Sequence, residues 1–166
     1  SNAATVRVGQ AMGRGDRGWM RDAALTVVWM SLAFSVVFIA VYLLFSEQLV
    51  RLYLDPTDPQ APQIVALGAT LLMYAALFQL TDAFQVIALG FLRGVQDTRV
   101  PMWIAGFSYW VVGMPVAWAL AFPLGFGPAG LWLGLCVGLT VAAVLLMRRF
   151  WSGHARGDWT RAQAPV

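Results

Sequence analysis

At 166 residues, with 60% hydrophobic side chains, 11% charged ones and a mean hydropathy of +0.69, the chain is far more apolar than a soluble domain, which carries about 25% charge. All eleven basic residues are arginine, and the net charge of +3 calls for no nucleic acid, because loops obeying the positive-inside rule supply it. The one cysteine, Cys136, allows no internal disulfide and, set in an apolar run, matches no metal-ligand spacing.

Residues 1–12 lack an initiator Met and read as the last turns of a spanning helix, so a truncated chain is expected. Ser1-Asn2-Ala3 fits both an expression scar and the end of a helix. No n-region, h-region and cleavage-site pattern marks a secretory signal peptide. A basic, glycine-punctuated loop follows, with Arg14, Arg17 and Arg21, and Arg7 just before it. Gly13-Arg14-Gly15-Asp16 matches the G-x-G-D pattern of intramembrane aspartyl proteases, but that chemistry needs two carboxylates facing each other inside helices. Asp16 stands among arginines in a loop expected to meet water, so the match is set aside. Arg14-Gly15-Asp16 and Arg156-Gly157-Asp158 spell an adhesion tripeptide and are read as solvated loop residues.

Asp22 is expected to cap the next helix, because a carboxylate there can accept from the first free amides. Residues 23–45 then run without a charge for about 35 Å at 1.5 Å per residue, enough to cross a hydrocarbon core of about 30 Å. Leu49, Leu52 and Tyr53 recur at helical spacing before Asp55-Pro56-Thr57-Asp58-Pro59, which predicts a short interfacial helix and then a turn.

Residues 63–92 form the second full span, opened by Pro62 in a tolerant first-turn position. Asp82 is its one carboxylate. A charge at that depth is costly, and such residues face a bundle interior or cavity and mark an ion, proton or substrate path; the plainer alternative is a structural pair with a neighbouring helix. Gln79, Asp82 and Gln85 recur every three residues and share one face, expected to turn away from lipid. Gln79 and Gln85 are read either as site lining or as interhelical hydrogen-bonding groups.

A polar link, residues 93–99, leads to a third span at 100–122, with Thr98 as its expected cap. Gly113-Met114-Pro115 interrupts that span; Pro115 removes an intrahelical bond, and with Gly113 it predicts a kink or hinge. The fourth span, 129–147, carries Gly130, Gly134 and Gly138 four residues apart, a face on which a neighbouring helix can come close. Trp19, Trp103 and Trp151 fall near helix ends, as an interfacial belt places them. Residues 148–166 are expected to be a polar tail, with His154 solvated. The fold class is therefore an all-α polytopic membrane bundle of four full spans plus the end of a fifth. Ten of the eleven arginines then lie on one side and only Arg51 on the other, which predicts that both ends are cytoplasmic.

Leu92-Arg93-Gly94 with Asp97-Thr98 and Pro101, preceded by Asp82 and Gln85, resembles the tenth helix and following loop of multidrug and toxic compound extrusion (MATE) transporters, particularly the NorM-like branch. Arg7-Val8-Gly9 with Gly13 and Asp16 is similar to the end of helix eight, Gly113-Met114-Pro115 to the middle of helix eleven, and Gly130-Leu131-Trp132-Leu133-Gly134-Leu135 to helix twelve. The resemblance implies a C-terminal lobe fragment of a two-lobe antiporter in the inner membrane, lacking the N-terminal lobe and helix seven. Such a carrier exchanges Na⁺ or H⁺ for small organic, often cationic, compounds; it is not an enzyme and has no catalytic residue or cofactor beyond the coupling ion. Asp82 falls on the family's cation-binding aspartate and is the one residue implied to hold Na⁺, while the partner acid of helix seven is absent, so the fragment alone is expected to be inactive. Two other readings stand beside this one. A lipid-linked saccharide flippase would need basic residues in a central cavity, and no arginine lies inside a span; a non-transporting anchor or assembly module would make Asp82 merely structural.

Overall fold

The structure, a computed structural model, describes residues 2–54 and 60–161. Its elements are α1 (Asn2–Gly13), α2 (Arg17–Arg51), α3 (Ala61–Gly94), α4 (Arg99–Gly106), a π-helical segment (Phe107–Gly113), α5 (Met114–Ala121), α6 (Gly127–Arg156) and α7 (Asp158–Arg161). With α4, the π segment and α5 forming one continuous rod, four helices are long and apolar enough to cross a membrane, and the fold is all-α among the described residues. The turn expected at Asp55-Pro56-Thr57-Asp58-Pro59 lies outside the described residues.

Several local signals resolve differently from the sequence reading. The cap of α2 is Asp16 rather than Asp22: its carboxylate accepts from the Trp19 amide at 3.0 Å, and the helix starts at Arg17. Arg17 and Arg21, expected in the loop, are thereby helical, because their long stems tolerate a half-exposed first turn. The short helix after residue 45 is continuous with α2 through Phe45, whose backbone leaves helical values (φ −121°, ψ 18°) and bends the rod there. The expected polar tail is largely an extension of α6, which runs on to Arg156 and ends at Gly157 in the left-handed conformation, φ 76°. His154 is half-buried rather than solvated, lying against the rings of Phe150 and Trp151.

In α6, 44% of the most apolar window is buried, against 6% in α2, so α6 is the central helix and α2 a peripheral one. Trp29, Phe34 and Leu44 of α2 point outward, as apolar residues do when lipid or a further protein surface covers them. The main core gathers at the arginine-rich end, where Val8, Met20, Phe91, Leu92, Leu146 and Phe150 are all but inaccessible. Phe91 and Phe150 meet there with ring centroids 4.8 Å apart.

Between spans in lipid no hydrophobic force separates protein from solvent, so close packing and interhelical hydrogen bonds must hold the helices. The Gly130, Gly134 and Gly138 stripe provides the packing. A Cβ at Gly130 would lie 2.6 Å from the Ala121 amide nitrogen, one at Gly134 would overlap Ala117, and one at Gly138 would lie 3.0 Å from the Gly113 Cα. Gly113 is therefore a buried contact of the third span with α6. At the arginine-rich end, Thr5 donates to the Gly90 carbonyl at 3.1 Å, and Arg149 donates to Asp97 at 2.6 Å, tying the α3–α4 link to α6.

Candidate functional site

The polar stripe of α3 begins with Gln79 and Asp82, both half-buried, and ends with Gln85, which is 5% exposed. Each three-residue step on a 3.6-residue helix turns the side chain by about 60°, so the stripe covers about a third of the circumference with Asp82 between the two glutamines. Phe78 stands edge-on to Trp132 of α6 with centroids 5.7 Å apart, fixing the rotation of α3 just before Gln79. Thr81 turns its hydroxyl onto the Phe78 carbonyl at 2.9 Å and so adds no free donor to the stripe.

Gln85 reaches across to the third span, where its Nε2 donates to the Tyr109 hydroxyl. Of the two roles expected for Gln85, the structure gives it the interhelical hydrogen bond. Asp82 lies about one turn earlier, on the same side of α3 as Gln85. Among the described residues, no hydrogen bond or ion pair holds the Asp82 carboxylate. The Gln85 Oε1 and the Ser108 Oγ are the other notable polar atoms: both are buried without a partner. An unpaired buried oxygen costs about 1–3 kcal/mol, so the region between α3 and the third span holds unmet hydrogen-bonding capacity.

The backbone of the third span explains why Ser108 and Tyr109 lie there. Pro115 has no amide to give, and Met114 donates to the Tyr109 carbonyl five residues back rather than four. The helix absorbs the missing bond as a π-helical segment at Phe107–Gly113, one turn before the proline. Pro115 itself is exposed, at the start of α5. Pro115 and Gly113 thus bracket the end of the π segment, with Gly113 pinned against Gly138.

Tyr109 did not stand out in the sequence, because one tyrosine in an aromatic-rich span looks like any other ring. Its neighbour Ser108 was the available signal, since two adjacent hydroxyls in an apolar run invite a search for partners. Beside this polar region, Thr81 and Phe84 of α3 face Thr140, Ala143, Val144 and Met147 of α6 across an open apolar groove of about 200 Å³.

The MatE family model matches residues 1–119. The probable multidrug resistance protein NorM of Rhizobium meliloti (strain 1021) is 44% identical over 150 residues, covering 90% of this chain and 32% of that protein. The probable multidrug resistance protein NorM of Xanthomonas axonopodis pv. citri (strain 306) is 45% identical over 150 residues, covering 90% of this chain and 32% of that protein. The chain therefore spans about a third of the length of the curated relatives it matches. Among solved structures, an inward-facing multidrug resistance MATE family transporter of the MOP superfamily is similar with a TM-score of 0.79 at 18% identity, over 97% of this chain and 36% of that one. A eukaryotic MATE transporter is similar with a TM-score of 0.70 at 22% identity, over 96% of this chain and 35% of that one. At those identities the structural likeness speaks for the fold.

Proposed function

The chain belongs to the MatE family, and from that premise we propose that it works as part of a multidrug exporter in which Asp82 couples outward movement of drug to inward movement of Na⁺ or H⁺. The observation that carries the reading is a single carboxylate on a bilayer-length helix, half-buried beside a second span, with no cation or donor fixing it among the described residues. A carboxylate in such a place is costly when bare, so it either takes a proton or holds a hard cation through oxygen. Attraction between unit charges 4 Å apart is about 4 kcal/mol at the effective dielectric of a protein surface, against about 1 kcal/mol in water. That difference is large enough for one acid to make binding of an ion and binding of a cationic drug mutually exclusive. Exchange follows if each ligand favours a different arrangement of the helices.

The cargo in this reading is a small organic compound, often a cation, and the lobe that completes the path lies in the remaining two thirds of the relatives' length. The arginine distribution supports an orientation with both ends of this chain on the cytoplasmic side of the inner membrane. Asp82→Asn in the full-length transporter tests the proposal. Gradient-driven transport of an organic cation is expected to vanish while the protein still inserts and purifies as a single species. Normal ion-driven transport by that variant would refute the reading and leave Asp82 a structural residue.

A further inference from the structure

Asp82 is the only charged side chain in residues 23–45, 63–92, 100–122 and 129–147. Tyr42 on α2, Tyr74 on α3, Tyr109 on the π segment and Cys136 on α6 are the other titratable groups in those stretches, and Tyr109 is the one tied to the polar stripe by a hydrogen bond. A phenol that accepts through its oxygen still has its own proton to give. With Gln85 Nε2 occupying the oxygen, the Tyr109 proton needs an acceptor. The Asp82 carboxylate, one turn from Gln85 on α3 and without a hydrogen bond or ion pair among the described residues, is the acceptor available on that face.

Gln85 also fixes where the phenol can reach. It is 5% exposed and anchored on the same face of α3 as Asp82, so the hydroxyl it grips is held beside the acid rather than released to lipid. The π segment supplies the matching half. Its wider turn places Tyr109 towards α3 while the neighbouring Ser108 carbonyl lies 3.2 Å from where a Gly138 Cβ would stand, on the α6 side.

We propose that Tyr109 is a positioning residue for Asp82: gripped by Gln85, it donates its hydroxyl proton to the Asp82 carboxylate, directly or through one water, whenever the acid holds no ion. The inference rests on the coupling role given to Asp82 above and adds how the empty acid is kept tolerable. Donation to the charged form stabilises that form, so it weakens the hold on Na⁺ or H⁺ and lets the ion leave. Without the donor the bare acid is less stable and the ion stays longer.

The test is transport of ethidium by the full-length protein in proteoliposomes, with Na⁺ titrated at fixed pH and, separately, pH varied without Na⁺. In Tyr109→Phe the half-saturating concentration of the coupling ion is expected to fall about tenfold, the weight of one hydrogen bond to a charged group, with a slower maximal rate. Gln85→Leu should shift it in the same direction by less, and it carries the test if the phenylalanine variant does not fold. An unchanged half-saturation with a changed rate would make Tyr109 a packing residue and overturn the proposal. A raised half-saturation would make its oxygen a direct ligand of the ion and overturn it equally. Asp82→Asn run alongside separates the two layers. If that variant keeps its ion dependence, the coupling role itself fails; if it loses it while Tyr109→Phe behaves as wild type, only the positioning role fails.

Discussion

Gly134→Ala adds one methyl group to the face where α6 meets the third span, and the structure leaves no room for it. The new Cβ would overlap the nitrogen, Cα and Cβ of Ala117, and a Cβ at the adjoining Gly130 would meet the Leu120 carbonyl carbon and the Ala121 nitrogen at 2.6 Å. These are mostly backbone atoms, so no rotamer change relieves the clash. α5 has to move out by about 1 Å to restore ordinary carbon–carbon separations of about 3.5–4.0 Å. Overpacking of this kind costs about 1–3 kcal/mol, and the retreat also opens a gap beside Ala121 and Gly130. The shift is about 2–4 °C per kcal/mol for 150–250 residues and smaller in a full-length protein about three times the length of this chain, so the melting temperature in detergent should drop by about 1–5 °C. Gly106→Ala is the matched control, because nothing lies within 4 Å of its Cβ position. It should be neutral or raise stability by about 0.5–1 kcal/mol through helix propensity. A Gly134→Ala protein that melts with the wild type, read by size-exclusion after heating, would refute the close approach of these helices.

Two further outcomes follow from the same geometry. Asp16→Ala should cost about 1 kcal/mol by freeing the Trp19 amide, whereas Asp22→Ala should fall within about 0.5 kcal/mol of wild type; thermal melts of the two variants check which residue caps α2. For orientation, a cysteine placed at Arg51 should react with a membrane-impermeant maleimide added outside intact cells, and one at Gly15 only after the membrane is opened. The native Cys136, 5% exposed, is expected to stay silent as background.

The spans were legible because a bilayer imposes its thickness: runs without charge over twenty-odd residues in water-hating sequence leave few other fates. The stripe of Gly130, Gly134 and Gly138 was legible for the same reason, since spacing on one helix states that something comes close. It could not state what, and the partners Ala117, Ala121 and Gly113 emerge only when the third span is laid against α6. Helix ends were harder. Asp16 and Asp22 are both competent caps, and the choice fell to Asp16 because Arg17 and Arg21 can extend their stems along a helix whose first turn is half in water. Arg148 and Arg149 misled in the same way, marking the end of the apolar stretch but not of α6, whose packed Phe150 and Gly153 carry the helix onward. At the site, Asp82 announced itself by its cost, and Gln79 and Gln85 by their shared period. Tyr109 did not, because Pro115 reveals a missing donor but not the π segment that absorbs it, and the rotation of that segment decides which ring faces Gln85.

Equilibrium binding to the purified full-length transporter tests most directly whether one acid serves both ligands. Ethidium affinity would be measured by fluorescence across a range of Na⁺ and of pH, in the wild type and in Asp82→Asn. The account predicts that a saturating coupling ion weakens ethidium, that ethidium weakens the ion by the same factor, and that both effects disappear in the variant. Ethidium binding that ignores the ion in the wild type, or competition that survives in Asp82→Asn, would contradict it.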